Sequence, residues 1–201
     1  MQHKSTNAGF SLVELLVSLM LFTVVVTIAV GTLLTLIYSN TKARNMQDAL
    51  TNLQFALDSM TREIRTGTNY YCGGNVENNT PAPAATRDCT GGASAFAFLE
   101  GGQSLTGGGN GRISYRLANE RIERRIGTDS WEPLTSQQVR ITELRFVARD
   151  TDDFLTDGDT TQPTVTLYVS GEAGQIPGLD TSFSLQTSLT QRVRDISADV
   201  D

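Results

Sequence analysis

The chain has 201 residues, enough for one domain with an appendage and too few for two full domains. Acidic side chains outnumber basic ones by 22 to 16, and the only lysines are Lys4 and Lys42, which argues against a nucleic-acid binder. His3 is the only histidine, so the usual group for acid–base work near neutral pH is missing from the body of the chain, and no enzyme is expected.

Composition divides the chain from its start. Residues 1–9 form a short polar leader with His3 and Lys4. Residues 10–40 are apolar and carry one charge, Glu14. The uncharged stretch Leu15–Thr41 exceeds the roughly 20 residues with which a helix crosses a bilayer core, so a membrane span is expected. Lys4 before the span places the leader in the cytoplasm and the remainder outside, although Lys42 and Arg44 weigh against that orientation.

Beyond the span, Ala43, Met46, Leu50, Leu53, Leu57, Met60 and Ile64 recur at steps of three and four. This stripe predicts an amphipathic helix half over 41–66, with Asp58, Arg62 and Glu63 facing outward. No proline interrupts Phe10–Arg65, so both halves can form one helix, which Gly67 then stops. The next residues, to about Ser94, are rich in turn formers and read as an irregular loop. Cys72 and Cys89 bracket most of it; on an exported chain they read as a disulfide, with two free thiols as the alternative. Asn78-Asn79-Thr80 matches a glycosylation sequon by composition alone.

From Ala93 the pattern is that of strands: Ala93–Glu100, Arg112–Leu117 after a turn at Asn110-Gly111, Arg121–Ile126 after a turn at Asn119, Gln138–Ala148, Pro163–Ser170 and Phe183–Val193. Short sequential strands predict an antiparallel sheet. With the striped helix it makes an α+β fold, the head occupying 67–201.

The junction before the span carries the chemistry. A secretory signal is cut after its apolar core at small residues, and no such site follows this span. Ahead of it stands Gly9-Phe10-Ser11-Leu12-Val13-Glu14, in which glycine offers least hindrance on the leaving side of a scissile bond. Glu14 is costly at membrane depth, about 2.5–3.5 kcal/mol on insertion scales, and is a functional candidate on that ground. Its place in the first helical turn, where the dipole tolerates negative charge, is the competing explanation.

These residues resemble the type IV prepilin signature, shared with type II secretion pseudopilins. The resemblance implies a pilin-like fold, cleavage between Gly9 and Phe10 by a membrane prepilin peptidase, and N-methylation of Phe10. It also implies that Glu14 pairs with the N-terminal amine of a neighbouring subunit as the helix enters a filament. The implied partners are that peptidase, other pilin or pseudopilin subunits, an inner-membrane assembly platform, and membrane lipid before assembly. The implied location is a single pass of the inner membrane with an extracytoplasmic head, then the pilus or pseudopilus. Gly31 departs from the pattern, because many members carry a proline there; glycine suggests softer local melting or tight helix packing.

Weaker likenesses follow. Leu57–Arg65, Ile113–Leu117, Pro133–Thr135, Ile141–Phe146 and Leu185–Thr190 resemble, in order, segments of minor pilins and J-type pseudopilins. Such subunits prime assembly or sit at a tip, and a tip adhesin or DNA-uptake pilin is the alternative. Asp150, Asp152, Asp153, Asp157 and Asp159 crowd one connection; they read first as a solvated acidic loop and second as a calcium site, without the EF-hand spacing. No other cofactor is expected. Arg112, Arg116, Arg121, Arg124 and Arg125 gather in one hairpin, where a solvated or subunit-facing surface is expected in preference to a phosphate-binding patch. The glycines of Gly107–Gly111 read as a turn.

Overall fold

The computed structural model describes residues 9–74, 76–77, 80–82, 84–103, 111–152, 158, 161–174 and 180–193. It divides into two units, Met1–Arg44 and Asn45–Asp201. One helix, α1 (Leu12–Thr66), belongs to both, and β-strands follow it.

In the first unit every residue from Gly9 to Asn40 is exposed, including Leu15, Phe22, Ile28 and Leu33. A continuous apolar surface of this kind is unsuited to water and matches a bilayer in length. The β-branched run Val24-Val25-Val26-Thr27-Ile28 is a weak helix former in water. In hydrocarbon each backbone amide must bond within the segment, so the same run stays helical.

In the second unit α1 buries Ala49, Leu53, Ala56, Met60 and Ile64. The seam therefore runs through two alanines that the expected stripe omitted. Leu50, Leu57 and Met46 flank it half-buried, and Ala43 is exposed. Small side chains let the sheets approach the helix closely, which a pattern weighted toward large apolar residues does not register. At the end of α1 the Gly67 amide donates to the carbonyls of Glu63 (3.0 Å) and Ile64 (3.1 Å). A Cβ at Gly67 would run into the Phe98 ring, so close packing requires glycine here.

The strands form two antiparallel sheets where one was expected. The first has the order β1 (Thr68–Cys72), β2 (Ala95–Leu99), β3 (Arg112–Ala118), β4 (Arg121–Ile126) and β5 (Glu132–Pro133). The second has the order β6 (Val139–Arg149), β7 (Thr164–Ala173) and β8 (Thr181–Thr190). Thr68–Cys72, expected to be loop, is the edge strand of the first sheet, and β5 was not foreseen. The last strand begins and ends earlier than Phe183–Val193. Asn119 (φ 51°) and Glu120 (φ 57°) make the two-residue turn between β3 and β4. Both sheets and the α1 seam share one core, where Phe96 and Phe146 stack with centroids 5.2 Å apart.

All of β2 is buried, on both faces. Phe96 and Phe98 point into the main core, while Ala95 and Ala97 lie under Val76 and Tyr71 of the cysteine-bracketed loop. That loop is closed by a disulfide between Cys72 and Cys89, with Cα atoms 5.6 Å apart. Replacing both cysteines with alanine is expected to lower stability by about 3 kcal/mol, read as the urea midpoint of the oxidised protein against the double mutant. Equal midpoints would show that the loop is held by other means.

Candidate functional site

Gly9 and Phe10 precede α1 outside any helix or strand and are exposed, Phe10 by 82%. No atom would obstruct a side chain at Gly9. The Ser11 carbonyl accepts the first helical amide, from Leu15 (3.1 Å), so the helix begins directly behind the Gly9–Phe10 bond. Glu14 lies in the first turn, exposed, and forms no ion pair among the described residues. Before any cut the Phe10 nitrogen is a neutral amide. Cleavage after Gly9 would make it a cation four residues from Glu14, which changes what the carboxylate can meet.

The hydroxyls along the apolar half bond to the helix itself. Ser18, Thr23, Thr27, Thr32, Thr35 and Thr41 each donate to a carbonyl three or four residues back, at 2.6–3.0 Å. These six hydroxyls thereby offer little hydrogen bonding to their surroundings. At Gly31 the helix is unbroken, its carbonyl accepts from Thr35 (3.0 Å), and a Cβ would meet open space. Nothing within the chain requires glycine there.

The arginine hairpin overturns the expectation of a solvated surface. Register divides its side chains between two faces of the sheet. Arg112 is fully buried on the loop-covered face, where it donates to the carbonyls of Asn69 (2.6 Å), Ala85 (2.6 Å) and Ala82 (3.2 Å). Burial lowers its pKa to about 10, which leaves it charged at neutral pH. Arg116 pairs with Glu123 (2.8 Å), and the guanidiniums of Arg116 and Arg125 both lie over Trp131, at 4.2 and 4.4 Å. Arg125 also donates to the Val76 carbonyl (3.0 Å), and Arg121 to that of Thr135 (2.9 Å).

Arg124 points to the helix face and donates to Glu63 (3.0 Å), which also accepts from the Tyr115 hydroxyl (2.6 Å). Burial, with the Glu63 charge beside it, raises the Tyr115 pKa. Glu63 was expected to face outward. It sits at the border of the buried seam, between Met60 and Ile64, and its partners lie across the sheet where helical periodicity gives no signal. These arginines hold the head together and are not free for phosphates.

Of the acidic cluster, Asp152 accepts from the Thr86 hydroxyl, and the amides of Asp150 and Thr151 donate to Asp88 (3.3 and 3.0 Å). Asp153, Asp157 and Asp159 lie outside the described residues, as do His3, Lys4, Asn78, Asn79 and residues 107–110. Among the described residues no three His, Cys, Asp or Glu side chains stand together as a metal site.

Residues 4–30 match the family model of the prokaryotic N-terminal methylation motif, a span that contains Gly9, Phe10, Glu14 and the first half of the apolar helix. No curated protein and no solved structure matches the chain.

Proposed function

We propose that this chain, whose residues 4–30 match the prokaryotic N-terminal methylation motif, is a type IV pilin-like precursor cut after Gly9 by a prepilin peptidase. The new N-terminus, Phe10, is then methylated. The mature protein is a structural subunit, a minor pilin or pseudopilin, with its anchor in the inner membrane and its head on the extracytoplasmic side. It enters the filament from the assembly platform through α1, where Glu14 meets the Phe10 amine of a neighbour.

The carrying observation is the position of Gly9-Phe10 immediately ahead of an exposed apolar helix with Glu14 in its first turn, inside the matched motif. Neither a hydrolase nor a transferase is supported by a chain whose only histidine is His3, within the leader that cleavage removes. The DNA-uptake alternative loses the hairpin patch on which it rested, since those arginines are engaged within the chain.

Mass spectrometry of filaments sheared from cells tests the reading. The expected mature N-terminus is monomethylated Phe10, with this subunit far less abundant than the principal pilin of the same filaments. An intact Met1 in the filament fraction would defeat the cleavage step. Parity with the principal pilin would defeat the minor role.

A further inference from the structure

The two edges of the three-stranded sheet differ. On β6 the pairing with β7 shifts register between Ile141 and Glu143, and the strand carries Arg140, Glu143, Arg145 and Arg149. The outer side of β6 is also closed by other segments. Ala93 exchanges both backbone bonds with Phe146 (2.8 Å each), the Cys89 amide donates to Ala148 (3.0 Å), and the Ile141 amide donates to Glu120 (2.8 Å). Charge, irregularity and cover are the usual protections of an edge.

None of them protects β8. Its sequence, TSFSLQTSLT, has no charge, proline or glycine, and its register with β7 is unbroken from Thr181↔Ala173 to Thr190↔Thr164. Among the described residues β8 pairs with β7 alone. Its inward row is also incompletely covered: Phe183, Leu185 and Thr187 are half-buried, and only Leu189 is buried. Beside them runs a groove of ≈ 260 Å³ whose walls include Leu57 and Thr61 of α1 and Leu167, Leu185 and Thr187 of the sheet. Sharing Asp58 and Thr61 with the groove is a hollow of ≈ 510 Å³ bordered by Arg62, Arg65 and Arg192. These three are exposed and form no ion pair among the described residues, unlike the committed arginines of the hairpin. The Arg192 amide donates to the Arg65 carbonyl (2.8 Å), which fixes the end of β8 against the end of α1.

We propose that the β8 edge is a docking site for an extended segment of another protein chain, which adds to the sheet as a fourth strand. Backbone hydrogen bonds along β8 supply affinity, and the groove selects apolar side chains at alternate positions. The Arg62–Arg65–Arg192 end, three cations against the single carboxylate of Asp58 that lines both hollow and groove, selects acidic residues at the matching end of the partner. The inference rests on the head alone and does not depend on the N-terminal reading.

The test uses the detergent-solubilised full chain and a synthetic peptide alternating valine and threonine that ends in two aspartates. A control peptide ends in two lysines. The aspartate peptide is expected to protect the backbone amides of Phe183–Leu189 from hydrogen exchange and to bind more tightly than the control. Thr187→Lys, which places an ammonium in the groove, should weaken binding at least about tenfold. Arg62→Glu with Arg65→Glu should reverse the preference between the peptides; both positions are exposed, so this arm stands even if Thr187→Lys disturbs folding. Absent protection of β8, or equal binding of the two peptides by the wild-type chain, would overturn the proposal. Binding that appears only after deletion of residues 194–201 would make that segment the occupant and overturn it too. So would self-association that protects β8 and is lost in Thr187→Lys, which would assign the edge to a second copy.

Discussion

Replacing Glu14 with alanine is expected to leave cleavage after Gly9 intact and to reduce filament incorporation by more than about a hundredfold. The direction separates two readings of the residue. If Glu14 merely tolerates its place in the first helical turn, alanine removes an insertion cost of about 2.5–3.5 kcal/mol, and the subunit should fare no worse. If the carboxylate pairs with the Phe10 amine of a neighbour in a low-dielectric surround, removing one partner strands the other, at about 3–5 kcal/mol. Immunoblots of precursor and mature forms, beside mass spectrometry of sheared filaments, read both steps. Normal incorporation of Glu14→Ala would defeat the pairing, whatever happened to cleavage.

Arg112→Met is expected to destabilise the head by about 3 kcal/mol, although it replaces a buried cation with an apolar side chain of similar reach. Removing the cation relieves a desolvation cost, the same cost that lowers its pKa to about 10. Against this gain stand the lost bonds to the Asn69, Ala82 and Ala85 carbonyls, with Ala85 accepting from both terminal nitrogens. Bonds to a charged donor contribute about 1.5–3 kcal/mol each, so the loss wins. For a chain of this size the thermal midpoint should fall by about 10 °C. Proteolytic nicking should begin between Cys72 and Cys89, because Arg112 and the disulfide anchor the same loop. An unchanged midpoint would mean that water replaces the guanidinium without penalty.

What the sequence made legible follows from which interactions are local. The apolar run, the stop at Gly67 and the Asn119 turn are each set by a few neighbouring residues, and each lies where expected. Of the helical stripe only Leu53, Met60 and Ile64 are in the buried seam, because Ala49 and Ala56 carry no periodic signal of their own. β1 was missed because Thr68–Cys72 runs into glycines and asparagines, and its pairing with Ala95–Leu99 crosses the whole cysteine-bracketed loop. The division into two sheets was missed for the same reason: period-two alternation marks a strand without naming its partner. β2 showed no alternation because a second, small core forms on its far side, under Val76. The hairpin arginines were misread for a different reason. The interspersed Glu120 and Glu123 suggested a solvated or subunit-facing surface, but alternate register sends Arg124 to Glu63 and Arg112, Arg116 and Arg125 to the opposite face. At the N-terminus, Gly9, Phe10 and Glu14 were legible because the motif that residues 4–30 match is a run of consecutive residues and needs no tertiary contact to be read.

The self-satisfied hydroxyls of the apolar helix have a consequence for its passage between surroundings. With Ser18, Thr23, Thr27, Thr32, Thr35 and Thr41 each spending its proton on the helix's own backbone, there is little hydrogen bonding to exchange when acyl chains give way to neighbouring helices. On the proposed assembly the transfer would be close to one between two oils, with a small free-energy difference in either direction. Such a segment would there be held in place by shape and by its single charge.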